Sequence, residues 1–483
     1  MKKFTFLLAF VSVFSIFSFA ACKTEKEERT EYRLECEFDG KTLTGKETVN
    51  FYNDTETTFS DLKFNLFSNA YREDAKYRPI QKIYEYLAYK KGKDYGGIEI
   101  SSVKNAEGDL DFNIGGKDLN ILTVTLNEEV FPEERAEVII EYKITVADVV
   151  ARLGVNEKTV NLAEFYPILC GIDKDGFYEC VYYSVGDPYF SDCADYDVVF
   201  TAADEYTVAH AGKQISALSE NGKTTYEFSL ENARSFCMVL SDSFETISET
   251  VGDVTVNYFY YEDENPLDSF KYAVNALKTF GSLYGDYAYK EYSVVQTPFI
   301  QGGMEFPTIV MISDSVEKQS YGEVIVHETA HQWWQTAVGN NEIEYGFLDE
   351  GLAEYSTVLF YENNPEYDLK REYLMDISDK TYKSYCTVYE KLFGGKNTAM
   401  VRSLKDFTSE YEYVNIAYVK SCIMYDELRK SVGDEKFFGA IKNYYSENKF
   451  KITTPLDLIS AFKNAGDYTE SFIDGFLSGK AII

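Results

Sequence analysis

In the run Val326-His327-Glu328-Thr329-Ala330-His331-Gln332-Trp333-Trp334 two imidazoles stand four residues apart, with a carboxylate beside the first. On a helix such residues share a face, so both rings can grip one metal ion while Glu328 stays beside them as a base. The apolar stretch over 321–337 predicts that helix. A hydrolytic zinc site takes three protein ligands and leaves a fourth position open. Glu350 follows His331 after eighteen intervening residues, in Phe347-Leu348-Asp349-Glu350-Gly351-Leu352-Ala353-Glu354-Tyr355. This pattern reads as the start of a second helix, with Asp349 suited to its N-terminal end. Antiparallel helices joined by the intervening loop would bring Glu350 to the histidine pair. A zinc ion held by His327, His331 and Glu350 would polarise a substrate carbonyl and make water nucleophilic near neutral pH. Glu328 would take the proton and pass it to the leaving amine, which is peptide hydrolysis. Glu354, one turn after Glu350, is either an outer partner of a metal-binding histidine or a solvated carboxylate. His210, in Val208-Ala209-His210-Ala211, reads as a strand-end residue outside the site.

The elements that must position these residues are legible in outline. Upstream of the metal helix, 292–296 and 306–312 are predicted as a strand pair, with Gly302-Gly303-Met304-Glu305 in the loop between them. Two glycines there would let backbone approach a ligand closely. Asn265-Pro266 reads as a helix start, with Asn at the cap and Pro in the first turn. Leu267, Phe270, Val274, Leu277 and Tyr284 then follow helical spacing up to Gly285. From about 30 to 244 the pattern is short alternating segments between turn residues, as in antiparallel sheet; 122–126, 137–146, 196–201 and 224–230 are examples. After Glu350 the chain reads as helical to its end, with helices at 434–445 and from Thr454-Pro455 to Phe462. The fold class expected is multi-domain α+β, with an N-terminal β domain over 32–250 and a mostly helical catalytic domain over 251–483.

Composition narrows the partners. With 80 acidic against 47 basic residues and a formal net charge of -33, the chain is unsuited to nucleic-acid backbones. Residues 1–21 read as an export signal: Lys2 and Lys3, an apolar run over 4–19, then Ala20 and Ala21. Cys22 follows at once, as in a bacterial lipoprotein whose cysteine takes the lipid, although Phe19 stands where Leu is usual. The alternative is ordinary secretion with cleavage near Ala21. Residues 22–31 are charged and would serve as a tether. Setting Cys22 aside leaves seven cysteines at irregular spacing, which argues against a full disulfide framework. Among Cys170, Cys180 and Cys193 two could bridge a loop, and unpaired thiols are equally open.

His-Glu-x-x-His followed after eighteen residues by Glu within Asp-Glu-Gly-Leu-Ala-Glu-Tyr resembles the aminopeptidase N family of zinc peptidases, the gluzincins that also include leukotriene hydrolase. Gly302-Gly303-Met304-Glu305-Phe306 resembles that family's Gly-x-Met-Glu-Asn segment, with Phe306 in place of the final Asn. The resemblance implies that Gly302, Gly303, Met304 and Glu305 contact substrate, Glu305 holding the free α-ammonium of a peptide. Tyr418, in Tyr418-Val419-Lys420-Ser421 and 68 residues after Glu350, falls where the family's tyrosine donates to the developing oxyanion; Ser421 stands in place of a usual Gly. A second amine-binding Glu or Gln from the β domain is expected and has no clear position in the sequence. Residues 64–71, Phe165-Tyr166-Pro167 and Tyr196-Asp197-Val198 resemble pieces of the family's β domain. Over about 40–475 the resemblance implies a two-domain form, a saddle-like β domain followed by a thermolysin-like catalytic domain, without the small β domain and long helical domain of larger members. The activity it implies is a zinc aminopeptidase acting on peptides, extracytoplasmic and attached to the membrane by a lipid on Cys22. The rival readings are an endopeptidase, or processor of longer peptides, on the same site, and a surface binding protein that keeps the fold without turnover.

Overall fold

The computed structural model describes residues 27–481. The expected leader, Cys22 and the tether as far as residue 26 lie outside the described residues. The N-terminal half is sheet. Glu31–Phe38 alternates exposed and buried side chains, so Tyr32, Leu34, Cys36 and Phe38 all face one core. It pairs antiparallel with Thr42–Tyr52 on one side and parallel with Ala194–Ala203 on the other. An eight-stranded sheet results, running from Lys213–Glu220 at one edge to Gly108–Asp109 at the other. Two four-stranded sheets and the small pair Ile172–Asp173 and Gly176–Phe177 complete this half; one four-stranded sheet contains Phe59–Asn65 and Ile121–Val130, the other Val160–Leu162 and Met238–Ser241. The interior is packed by tyrosine, with Tyr32 stacked on Tyr196 at 4.9 Å and both edge-on to Tyr166. These rings need partners for their hydroxyls: Tyr32 donates to none but accepts Leu169 N, and Tyr166 accepts Phe236 N.

The strand segments expected at 122–126, 137–146, 196–201 and 224–230 lie in strands, apart from Val146, one residue past the end of Arg135–Thr145. His210 ends the strand Thr207–His210 and stacks on Phe228 at 4.3 Å. Burial, opposed by backbone hydrogen bonds, holds its imidazole down to about 4, so it stays neutral and plays no part in the cleft. The seven cysteines from Cys36 to Cys422 are buried free thiols, so no loop is bridged among the described residues.

The second half opens with a five-stranded sheet ordered Glu245–Val251, Val254–Tyr260, Glu291–Thr297, Ile309–Ser313, Gly303–Phe306. The first pair is a hairpin of this sheet, so the expected boundary at 250/251 falls inside it. Glu291–Thr297 and Ile309–Ser313 run parallel. Gly303–Phe306 is not the loop expected: it is an edge strand, antiparallel to Ile309–Ser313, because its own backbone completes that ladder. The helix Pro266–Tyr284 begins with Pro in the first turn as expected, but Asn265 makes no side-chain cap and Leu267 is exposed. The remaining helices include Phe347–Asn363, Arg371–Phe393, Ser421–Val432, Asp434–Asn448 and Pro455–Phe462, the last with a Thr454–Asp457 capping box. Among the described residues no helix is long and apolar enough to cross a membrane.

Candidate active site

The metal helix is Lys318–Ala330. It stops seven residues short of the 337 expected, with His331 at its C-cap. The two tryptophans explain the stop: Trp333 Nε1 donates to Gly285 O and Trp334 Nε1 to Ser356 Oγ, two separate slots that a continuing helix could not fill. The turn is held by Gln335 at φ 98°. It also fixes His331, whose Nδ1 lies 3.1 Å from Trp334 O. A carbonyl only accepts, so that nitrogen carries the hydrogen and Nε2 of the neutral ring offers its lone pair. On the other histidine, His327 Nδ1 lies 3.3 Å from Glu354 Oε2.

Phe347–Asn363 packs against the metal helix and presents Glu350 to both rings. His327 Nε2 lies 3.3 Å and His331 Nε2 3.2 Å from Glu350 Oε2, and the two Nε2 atoms are 3.2 Å apart. Bonds of about 2.0–2.1 Å from one tetrahedral zinc would set its ligand atoms roughly 3.3 Å from each other. The triangle therefore fits zinc: two nitrogen lone pairs and a carboxylate oxygen repel at this spacing unless a cation lies among them. Burial works against the charge of Glu350, but the imidazoles, His331 foremost, hold its carboxyl down to about 2.

Glu328 is buried beside the triangle, and its Oε2 accepts no hydrogen bond. Burial, opposed by both histidines, pushes its carboxyl up to about 7, the range of a base at neutral pH. Gly303 explains the edge strand's glycine: a Cβ there would stand 2.4 Å from Glu328 Oε1, whereas at Gly302 it would meet nothing nearer than 3.7 Å. Phe306 contributes no side-chain hydrogen bond. Gln332 ties the strand to the metal helix, donating to Phe306 O and accepting Thr308 N.

A cleft of about 360 Å³ opens over these groups. Gly302, Gly303, Met304 and Glu305 line one wall, Glu323 and Glu354 another, Tyr413 and Tyr418 a third, and Arg152 and Asp187 come from the β domain. Tyr418 sits on a π-helical stretch, Val414–Lys420, and its hydroxyl donates to Glu350 Oε1. Lys420 ends that stretch, buried and donating to Thr398 O and Phe476 O; burial lowers it to about 8. The following helix comes close because Gly351 meets Ser421, where a Cβ on the glycine would be 2.3 Å from the serine's.

Glu305 is 4% exposed, and its Oε1 accepts no hydrogen bond. Burial, with neighbouring acids adding to it and His331 opposing, pushes its carboxyl well above the usual range, so a cationic partner is what would keep it ionised. Asp187 stands near it, paired with Arg152 Nη2 at 2.5 Å. Neither was legible in the sequence. The one local signal is Gly186 at φ 68°, a left-handed turn that delivers Asp187 into the cleft.

Residues 269–476 match the model of the "Peptidase family M1 domain". Leucine aminopeptidase 2 of Emericella nidulans is 26% identical over 206 residues, 39% of this chain and 31% of the relative. Aminopeptidase 2 of Candida albicans is 26% identical over 206 residues, 40% of this chain and 22% of the relative. The alignments thus span under a third of those relatives' length. An M1 zinc metallopeptidase from Deinococcus radiodurans shares the two-domain fold, with a TM-score of 0.67 at 16% identity over 95% of this chain and 96% of its own. A mutant of that enzyme bound to a Tyr-Ser-Ala substrate superposes with a TM-score of 0.65, at 16% identity over 94% of each chain. Residues 269–476 thus match a peptidase family M1 domain, and the chain as a whole shares the two-domain fold of an M1 zinc metallopeptidase.

Proposed function

We propose that this chain is a zinc aminopeptidase that releases N-terminal residues from peptides. The observation that carries the proposal is a buried acid anchor, Glu305 with Asp187 near it, in the same cleft as the His327, His331 and Glu350 triangle. A peptide's α-ammonium would pair with Glu305 and Asp187, setting the first carbonyl over the triangle and leaving no room for a residue before it. Zinc bound by the triangle would polarise that carbonyl and acidify a water molecule. Glu328 takes the water's proton and delivers it to the departing nitrogen. Tyr418 donates its hydroxyl hydrogen to the carbonyl oxygen as charge builds there. Trp334 O and Glu354 hold the two imidazoles in the orientation that exposes each Nε2.

The zinc-loaded protein should release fluorophore from free aminoacyl amides and lose that activity to a chelator. N-acetylated analogues should be cut about 10- to 100-fold more slowly, the worth of one charge-assisted contact, and Glu305→Gln should erase most of the difference. Equal rates on free and acetylated substrates would favour the endopeptidase reading. Chelator-resistant release would end the zinc reading.

We also propose that the protein works outside the cytoplasm, held to the bacterial membrane by a lipid on Cys22, on the strength of the leader pattern over 1–21. Labelled palmitate should enter the wild type and not Cys22→Ser. Labelling that survives the substitution, or a wild-type protein found only in the medium, would favour plain secretion.

A further inference from the structure

Behind the wall that carries Glu305, three carboxylates converge from three separate elements. Asp187 comes from the β-domain loop, Glu305 from the edge strand, and Glu342 from the single helical turn Glu342–Tyr345 that precedes the Glu350 helix. One oxygen of each lies within 4.8 Å of the other two. All three are buried, at 6%, 4% and 3% exposed, and Glu342 is set back from the cleft lining.

The cluster lacks donors. Glu342 Oε1 accepts Gln335 Nε2 at 2.9 Å, but Glu342 Oε2 and Glu305 Oε1 accept nothing. Of the three, Arg152 pairs with Asp187. His331 Nδ1 is 3.9 Å from Glu305 Oε1, and its hydrogen is already directed at Trp334 O. Asp349, close enough to act on Glu342, adds negative charge, and Asn340 donates to it. A buried carboxylate without donor or counter-charge is strongly destabilising; two donorless oxygens on carboxylates this close are matched by a single positive ion.

We infer that Asp187, Glu305 and Glu342 form a second cation site for a hard divalent ion such as Ca²⁺, separate from the histidine triangle. The donors are all oxygen, which selects hard cations over zinc. Oxygens within 4.8 Å of one another are near enough to share one calcium ion at bonds of about 2.3–2.6 Å. Glu305 and Asp187 are shared with the proposed α-ammonium anchor, so bound Ca²⁺ would compete with the substrate's amine for their charge.

The test is Ca²⁺ binding to the zinc-loaded full chain in physiological salt, followed by equilibrium dialysis. One saturable Ca²⁺ per chain is expected in the wild type, with a dissociation constant on the order of 10⁻⁴–10⁻³ M, as in extracellular calcium-binding modules. Glu342→Gln, nearly the same shape, should weaken it at least tenfold. Glu249→Gln, which removes an equal charge from an exposed strand, should leave it unchanged. Circular dichroism checks that each variant folds; should Glu342→Gln not fold, Asp187→Asn serves the same purpose. No saturable site in the wild type, or equal binding by wild type and the cluster variant, overturns the inference.

Discussion

Replacing Glu328 by Gln is expected to leave zinc bound and to lower kcat by about 10²–10⁴-fold, the range for a positioned general base. The side chain keeps its volume, which matters because the Gly303 backbone lies hard against it. What is lost is the proton-accepting oxygen, buried, lacking a donor and raised to about 7. Neither His327, His331 nor Glu350 depends on Glu328 for its placement: Trp334 O, Glu354 and the second helix hold them. Metal content by atomic emission and kcat on an aminoacyl amide together check the expectation. A zinc-loaded variant turning over within tenfold of wild type would remove Glu328 from the proton path.

Tyr418→Phe should lower kcat by about 10²–10³-fold with little change in KM, as when one oxyanion donor is removed. Burial, reinforced by the Glu350 charge, raises the Tyr418 hydroxyl far above the ordinary tyrosine range. It therefore stays protonated, and a donor, across neutral pH. Its hydroxyl also contacts Glu350 Oε1, so metal content must be measured in parallel. A variant that loses zinc as well as rate would mark the hydroxyl as an orienting group for Glu350 instead.

The metal triangle was readable because helical periodicity turns a four-residue spacing into a shared face, and because Glu350 opens its own apolar-acidic helix. The helix end at Ala330 was not readable. The run to 337 is apolar throughout, and only the separate slots for Trp333 and Trp334 make the chain leave the helix. Gly302-Gly303-Met304-Glu305 reads as a loop because four residues with two glycines carry no period; the pairing of Gly303–Phe306 with Ile309–Ser313 supplies the strand. Leu267 fitted the helical stripe and yet faces solvent, being in the first turn beyond the reach of the core. Asp187, Arg152 and Glu342 stayed hidden for a different reason. Each is an ordinary charged residue in its own neighbourhood and acquires a role only from groups distant in the chain: Asp187 from Glu305, Arg152 from Asp187, and Glu342 from the strand and the loop that converge on it.

The π-helical stretch over Val414–Lys420 holds one residue more per turn than its neighbours. Each residue advances an ordinary helix by about 100°, so the surplus acts as a phase correction between the Glu410–Tyr413 turn and the Ser421–Val432 helix. Ser421 must meet Gly351 on one side while the Tyr418 ring lies flat along His327 on the other, 5.8 Å between centroids. Trimming one position from this stretch would keep every catalytic side chain in the gene and still swing the phenol out of phase with the imidazole. Insertions and deletions here act like a mis-cut gear tooth, so this short run tolerates no drift in length without turning Tyr418 away from His327.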